Sequence, residues 1–131
     1  MTSASLAVQR ALFAAFAAEP GLATLTGIHD AVPAEAFAPY LTLGPDIVTD
    51  WSGKTAVGHE HRIQLAIWDS GPGMARAKTL LAAVETAVRA LTGTVDGHRI
   101  ASVLFLRSFV TKTSDNWTQG VAEFRIRTEQ L

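Results

Sequence analysis

Hydrophobic positions along this chain change period several times, and the order of those changes predicts its elements. Leu6, Val8, Leu12, Phe13 and Phe16 form an apolar stripe opposite Arg10 and Glu19, which predicts a core helix capped by Ser3 or Ser5 and ended by Pro20-Gly21. Ile28 to Val32 reads as a brief edge strand stopped by Pro33. Tyr40-Leu41-Thr42-Leu43 then alternates, and so does Arg62 to Trp68. In that second run Ile63, Leu65 and Ile67 share one face while Arg62, Gln64 and Trp68 share the other. The two runs predict an antiparallel hairpin, joined by a long excursion through Asp50-Trp51-Ser52-Gly53-Lys54. Hairpin loops usually span about 2–5 residues, so a longer structured one points to a function.

Gly71-Pro72-Gly73 breaks the return strand. The clearest helical period follows: Ala77, Leu80, Leu81, Val84, Val88 and Leu91 line one face, Arg76, Lys78, Thr79, Glu85, Thr86 and Arg89 fill the other, and Gly93 stops the helix. Asp96-Gly97 is a turn pair that introduces a long β-rich run, Arg99 to Thr113, which reads as the central strand. Asp115-Asn116 reverses the chain, and Val121 to Thr128 returns with Ala122, Phe124 and Ile126 on a dry face and Glu123, Arg125 and Arg127 on a charged one. These elements predict an α+β fold. The expected form is a two-layer sandwich, a mostly antiparallel sheet of about five strands with two main helices packed on one face, in the order α-β-β-β-α-β-β.

With 131 residues and 48% hydrophobic side chains, the chain is expected to form a single domain over 1–131 with one modest core. A net charge of −1 and a pI near 6.4 argue against a polyanion-binding protein. The charge is nonetheless polarised. Residues 1–60 carry six acidic and two basic side chains, residues 61–131 six acidic and nine basic, a pattern that either is scatter or serves a head-to-tail contact between copies. Without cysteine there is neither a disulfide nor a thiolate, which suits a reducing cytosol. The Ala-rich N-terminal segment reads as a helix, so no targeting signal is expected, and no apolar run is long enough to span a membrane.

Candidate chemistry is sparse. Gly53-Lys54-Thr55 has the ending of a phosphate loop, but Val48 stands where the first glycine belongs and no helix signal follows. His59 and His61 share a face if their segment is a strand, which supplies half of a metal site; His29 and His98 are far away in sequence. Ser, His and Asp residues are present without a nucleophile elbow. Arg99, Arg107, Lys112, Arg125 and Arg127 on one sheet face lack the aromatic interleaving of a nucleic-acid surface. None of these patterns singles out a catalytic residue, and no cofactor or metal is expected.

The succession of segments resembles one family. An Ala-rich helix, Ile28-His29-Asp30-Ala31-Val32-Pro33, Pro39-Tyr40-Leu41-Thr42-Leu43-Gly44, Thr49-Asp50-Trp51, His61 to Trp68 and Phe124-Arg125-Ile126-Arg127-Thr128-Glu129 together are similar to the tail-completion proteins, or tail terminators, of long-tailed phages, prophages and gene transfer agents. The resemblance implies a structural virion protein, not an enzyme. Such a protein forms a hexameric ring at the head-tail junction, stops polymerisation of the tail tube protein, and meets a head-side stopper or connector protein. DNA would pass through its channel without sequence-specific binding, no membrane would be involved, and assembly would take place in the bacterial cytoplasm. The subunit or tail-tube interface is then expected at Asp50, Trp51, Ser52, Gly53, Lys54, Thr55, His59 and His61, with Trp51 as aromatic anchor, and at the turn of Asp115, Asn116 and Trp117. Two alternatives remain. One is a small ligand-binding or enzymatic α+β domain with Trp51, Trp68 and Trp117 lining a pocket on the open sheet face; the other is a head-side stopper of the same particle.

Overall fold

The computed structural model describes residues 2–131. Helix α1 (Ala4–Ala18) leads through a short 3-10 turn at Pro20–Leu22 to β1 (Ile28–His29), β2 (Tyr40–Asp50) and β3 (Gly58–Ser70). Helix α2 (Ala75–Arg89) follows, then β4 (Thr94–Val95), β5 (His98–Ser114) and β6 (Trp117–Gln130). All strands belong to one curled sheet in the order β1-β2-β3-β6-β5-β4.

Local chemistry accounts for the helix ends. Ser3 caps α1, its hydroxyl accepting from the Leu6 amide at 3.1 Å, and Glu19 closes the helix by donating its amide to the Phe16 carbonyl. Ala4, Ala7, Val8, Ala11, Leu12 and Phe16 are buried on α1, whereas Leu6 is exposed. Alanines thus complete the buried arc, and Leu6 falls outside it. On α2 the observed stripe, Ala77, Leu80, Leu81, Val84, Ala87 and Val88, follows the expected period.

One continuous core joins these stripes to the inner face of the sheet, where Leu41, Ile63, Leu65, Ile67, Phe124 and Ile126 are buried. Helix α2 lies on β3, β5 and β6; α1 packs on α2 and reaches the small strand β4. Gly120 marks the tightest part of that packing, because a Cβ there would stand 2.8 Å from Leu81 Cδ1.

The expected five-stranded, mostly antiparallel sandwich with two helices on one face is overturned by this six-stranded mixed sheet. Two short strands make the difference. β1 pairs in parallel with β2, Ile28 opposite Leu41 and His29 opposite Thr42, because the 30–39 connection carries the chain back before β2 begins. β4 forms a tight hairpin with β5 through Asp96 (φ 50°) and Gly97 (φ 83°). The order is therefore three strands, a helix and three strands. Nor is β5 central: β3 and β6 hold the middle of the sheet, and β5 leaves Leu104 and Phe109 exposed.

Candidate assembly surfaces

β2 and β3 remain paired out to Asp50 and His59, so the expected long excursion contracts to the loop 51–57. That loop is internally tied. The Trp51 amide donates to the Gly58 carbonyl at 2.9 Å and the Gly53 amide to the Ala56 carbonyl at 3.0 Å, while the Ser52 hydroxyl donates to Asp50 at 2.7 Å and accepts from the Gly58 amide at 3.1 Å. Gly58 has no room for a side chain, since a Cβ would collide with the Trp51 carbonyl oxygen. Trp51 itself is half-buried under the Arg127 guanidinium, whose carbon lies 5.2 Å from the ring centroid. Lys54 and Thr55 are exposed at the tip, and a strand follows them where a phosphate loop would need a helix.

His59 and His61 do share the inner face. His61 is fully buried, with Nε2 hydrogen-bonded to Thr128 Oγ1 at 2.9 Å, so it belongs to the interior of the subunit and not to its surface. His59 is half-buried, 6.4 Å between ring centroids from His61 and equally far from His98. His98 reaches this cluster from β5, and its Nε2 donates to the Thr2 carbonyl at 2.8 Å. The Nδ1 atoms of all three rings are buried without a hydrogen-bond partner, as is Asp46 Oδ1. Burial pushes the His61 pKa down; Asp46 opposes that shift, while the neighbouring His59 and His98 add to it. Among the described residues, no three His, Cys, Asp or Glu side chains are disposed to hold a metal ion. His29 lies at the other end of the sheet, beside Tyr40.

That other end carries the second expected surface. Asp115 and Asn116 are exposed in the β5–β6 turn, where the Asn116 carbonyl accepts from the Gly71 amide at 2.9 Å. Trp117 is 36% exposed and stands edge-on to Tyr40, with centroids 6.4 Å apart; Tyr40 does the same with His29 at 5.9 Å. At the same end of the sheet Asp69 is buried and chelated by Arg76, whose Nε donates to both carboxylate oxygens at 3.1 and 3.0 Å. The Arg76 bonds hold the Asp69 carboxyl below the usual range.

Gly58 pairs with Glu129 and Ser70 with Trp117, so the two expected surfaces occupy opposite ends of β3. At about 3.3 Å per residue, the twelve steps between them span about 40 Å. The alternative pocket loses its lining as a result, because Trp51 is at one end and Trp68 and Trp117 are at the other. The sequence reading also missed the convergence of His98 on His59 and the His29–Tyr40–Trp117 group. Strand alternation could have placed each residue on a face, but only the sheet order brings them together.

No helix among the described residues is long and apolar enough to cross a membrane. No curated protein matches the chain. A chain of the virion of a native gene transfer agent particle is similar in fold, with a TM-score of 0.88 and 30% identity, covering 98% of this chain and 99% of that one. The profile of tail completion protein gp17 matches residues 10–129. A match over that length, on a fold shared with a virion component, shows that the chain belongs to the tail completion protein gp17 family.

Proposed function

We propose that the chain is a tail terminator: a single, non-enzymatic domain that closes into a ring, on the order of six copies, at the end of the tail tube. The ring stops tube polymerisation and joins the tail to a head-side connector. The observation that carries this reading is the near end-to-end similarity to a virion chain, 98% and 99% covered. The architecture supports it, because a ring between head and tube needs two separate contact regions, and this subunit exposes loop residues at both ends of its paired central strands β3 and β6. The loop 51–57 with Trp51, and the turn with Asp115, Asn116 and Trp117, supply them. In this reading the ring sits at the head-tail junction after assembly in the cytoplasm, and DNA passes through its channel without sequence-specific contacts. Pairing of Arg99, Arg107 and Arg127 with glutamates keeps most of the sheet's positive charge from an anionic strand, in keeping with that passage.

The test is tube length. Purified protein added to polymerising tail tube protein should arrest growth, and electron micrographs should show a cap at one end. Tubes that keep growing uncapped at saturating protein would contradict the proposal.

A further inference from the structure

We propose that neighbouring copies join head to tail, the acidic, apolar turn 32–37 of one copy docking on the outer sheet face of the next. This rests on the ring reading and specifies its subunit contact. The outer face carries a row of four residues across four strands. Ile47 on β2 is opposite Arg62 on β3, Arg62 is opposite Arg125 on β6, and Arg125 is opposite Leu104 on β5. Two arginines thus stand side by side, flanked by aliphatic side chains that are 59% and 43% exposed.

This row is electrostatically incomplete. Like charges directly opposite on a sheet repel. Arg125 Nε is buried without an acceptor and lies 3.9 Å from Glu60, while Arg62 makes no ion pair among the described residues. Glu60 is already engaged by Arg127 at 3.0 Å, and Glu123 by Arg107 at 2.8 Å and by Gln64 at 2.7 Å. The face as a whole sets five arginines (62, 99, 107, 125 and 127) against three glutamates (60, 123 and 129). An added carboxylate is what it lacks.

The same chain presents the complement. Residues 19–37 contain Glu19, Asp30 and Glu35 and no lysine or arginine. Within them the Ala36 amide donates to the Pro33 carbonyl at 3.1 Å, making a turn that holds Glu35 between Val32 and Phe37. Val32 is 46% and Phe37 76% exposed, and Glu35 makes no hydrogen bond or ion pair among the described residues. An apolar–acidic–apolar turn thus matches an aliphatic–arginine–arginine–aliphatic row. The turn cannot serve its own row readily: β1 registers with β2 at Leu41 and Thr42, five residues short of Ile47, or about 16 Å along the strand. A contact between unlike surfaces repeats from copy to copy, which is how a ring closes. The polarised charge of the sequence finds a use here.

The experiment is a charge exchange read by light scattering, with and without tail tube protein. Glu35→Arg and Arg62→Glu should each reduce the assembly to single subunits, and the double exchange should restore it. A chain without cysteine allows a second readout. Phe37→Cys mixed with Leu104→Cys should give a disulfide-linked dimer on oxidation, whereas neither variant alone should. Assembly that survives both single exchanges, or no cross-link between the mixed variants within a ring that still forms, would overturn the contact and leave the ring standing. Wild-type protein that stays a monomer even with the tube protein would overturn the ring and this contact together.

Discussion

The two ends of the sheet bury polar groups in opposite ways. At the Trp117 end, Asp69 is buried with its charge answered by Arg76 and by the Ser70 amide at 2.9 Å. At the Trp51 end, His59, His61 and His98 crowd together with three Nδ1 atoms unanswered, under the first turn of α1. Ser5 on that turn donates to Asp46, and the Thr2 carbonyl receives His98, so the helix start is fastened to the same cluster. Burial of a satisfied carboxylate fixes one end of the molecule. Burial of imidazole nitrogens without partners leaves the other end dependent on His61, whose pKa burial lowers, staying neutral.

The largest expected effect belongs to the core that both ends share. Leu81→Ala should lower stability by about 2–5 kcal/mol, because Leu81 is buried between α2 and Gly120 of β6. Chemical denaturation would measure it, and an unchanged midpoint would mean that α2 is not docked on β6 as described. Next comes Asp69→Ala. Hydrogen bonds to charged groups contribute about 1.5–3 kcal/mol, and the lower part of that range applies here because Arg76 is half exposed. Loss of stability well below 1 kcal/mol by the same denaturation measurement would remove the contrast between the ends.

Acid should then separate the ends. The His61 pKa is lowered in the fold, so above about 6.5 the ring is neutral whether folded or unfolded and contributes no pH dependence. Below that value the unfolded chain takes up the proton more readily, and stability falls with falling pH. The Asp69 pKa is also lowered, but a lowered carboxyl pKa adds stability above its unfolded value near 4, which is lost as pH falls below that point. Amide exchange at pH 7.5 and pH 5.5 should therefore show faster opening of the first turn of α1 with little change around Asp69. Equal protection at both pH values would contradict this. The smallest effect on stability is expected from Trp51→Ala, about 1 kcal/mol for a half-buried ring and its contact with Arg127. Its effect on tube arrest should be larger, and a variant that caps tubes normally would remove Trp51 from the interface.

Much of this fold was legible because its longest elements repeat. The α2 stripe, the alternation of Arg62 to Trp68 and that of Val121 to Thr128 all match the structure, and with them the dry and charged faces of the sheet. What escaped was adjacency. A period of two assigns a residue to a face and leaves its neighbouring strand open, which is why β5 was placed at the centre and its exposed Leu104 and Phe109 were not foreseen. The edge strand at Ile28 was legible because Pro33 stops it, but its parallel pairing depends on the path of the 30–39 connection, and the two residues of β4 carry too little pattern to announce themselves. Among the candidate site residues, Asp50 and the stretch from Ser52 to Thr55 could be read as exposed because loop polarity is local. His61 could not. Its burial follows from Thr128 and His98, which reach it through strands far away in sequence.

The central claim, that copies of this chain form a ring on the tail tube, is tested most directly by the mass of the purified protein, alone and mixed with tail tube protein. Size exclusion coupled to light scattering should give about six times the subunit mass of 13.9 kDa in at least one of the two conditions. A mass of one subunit in both, with the tube protein eluting unaltered, would contradict it.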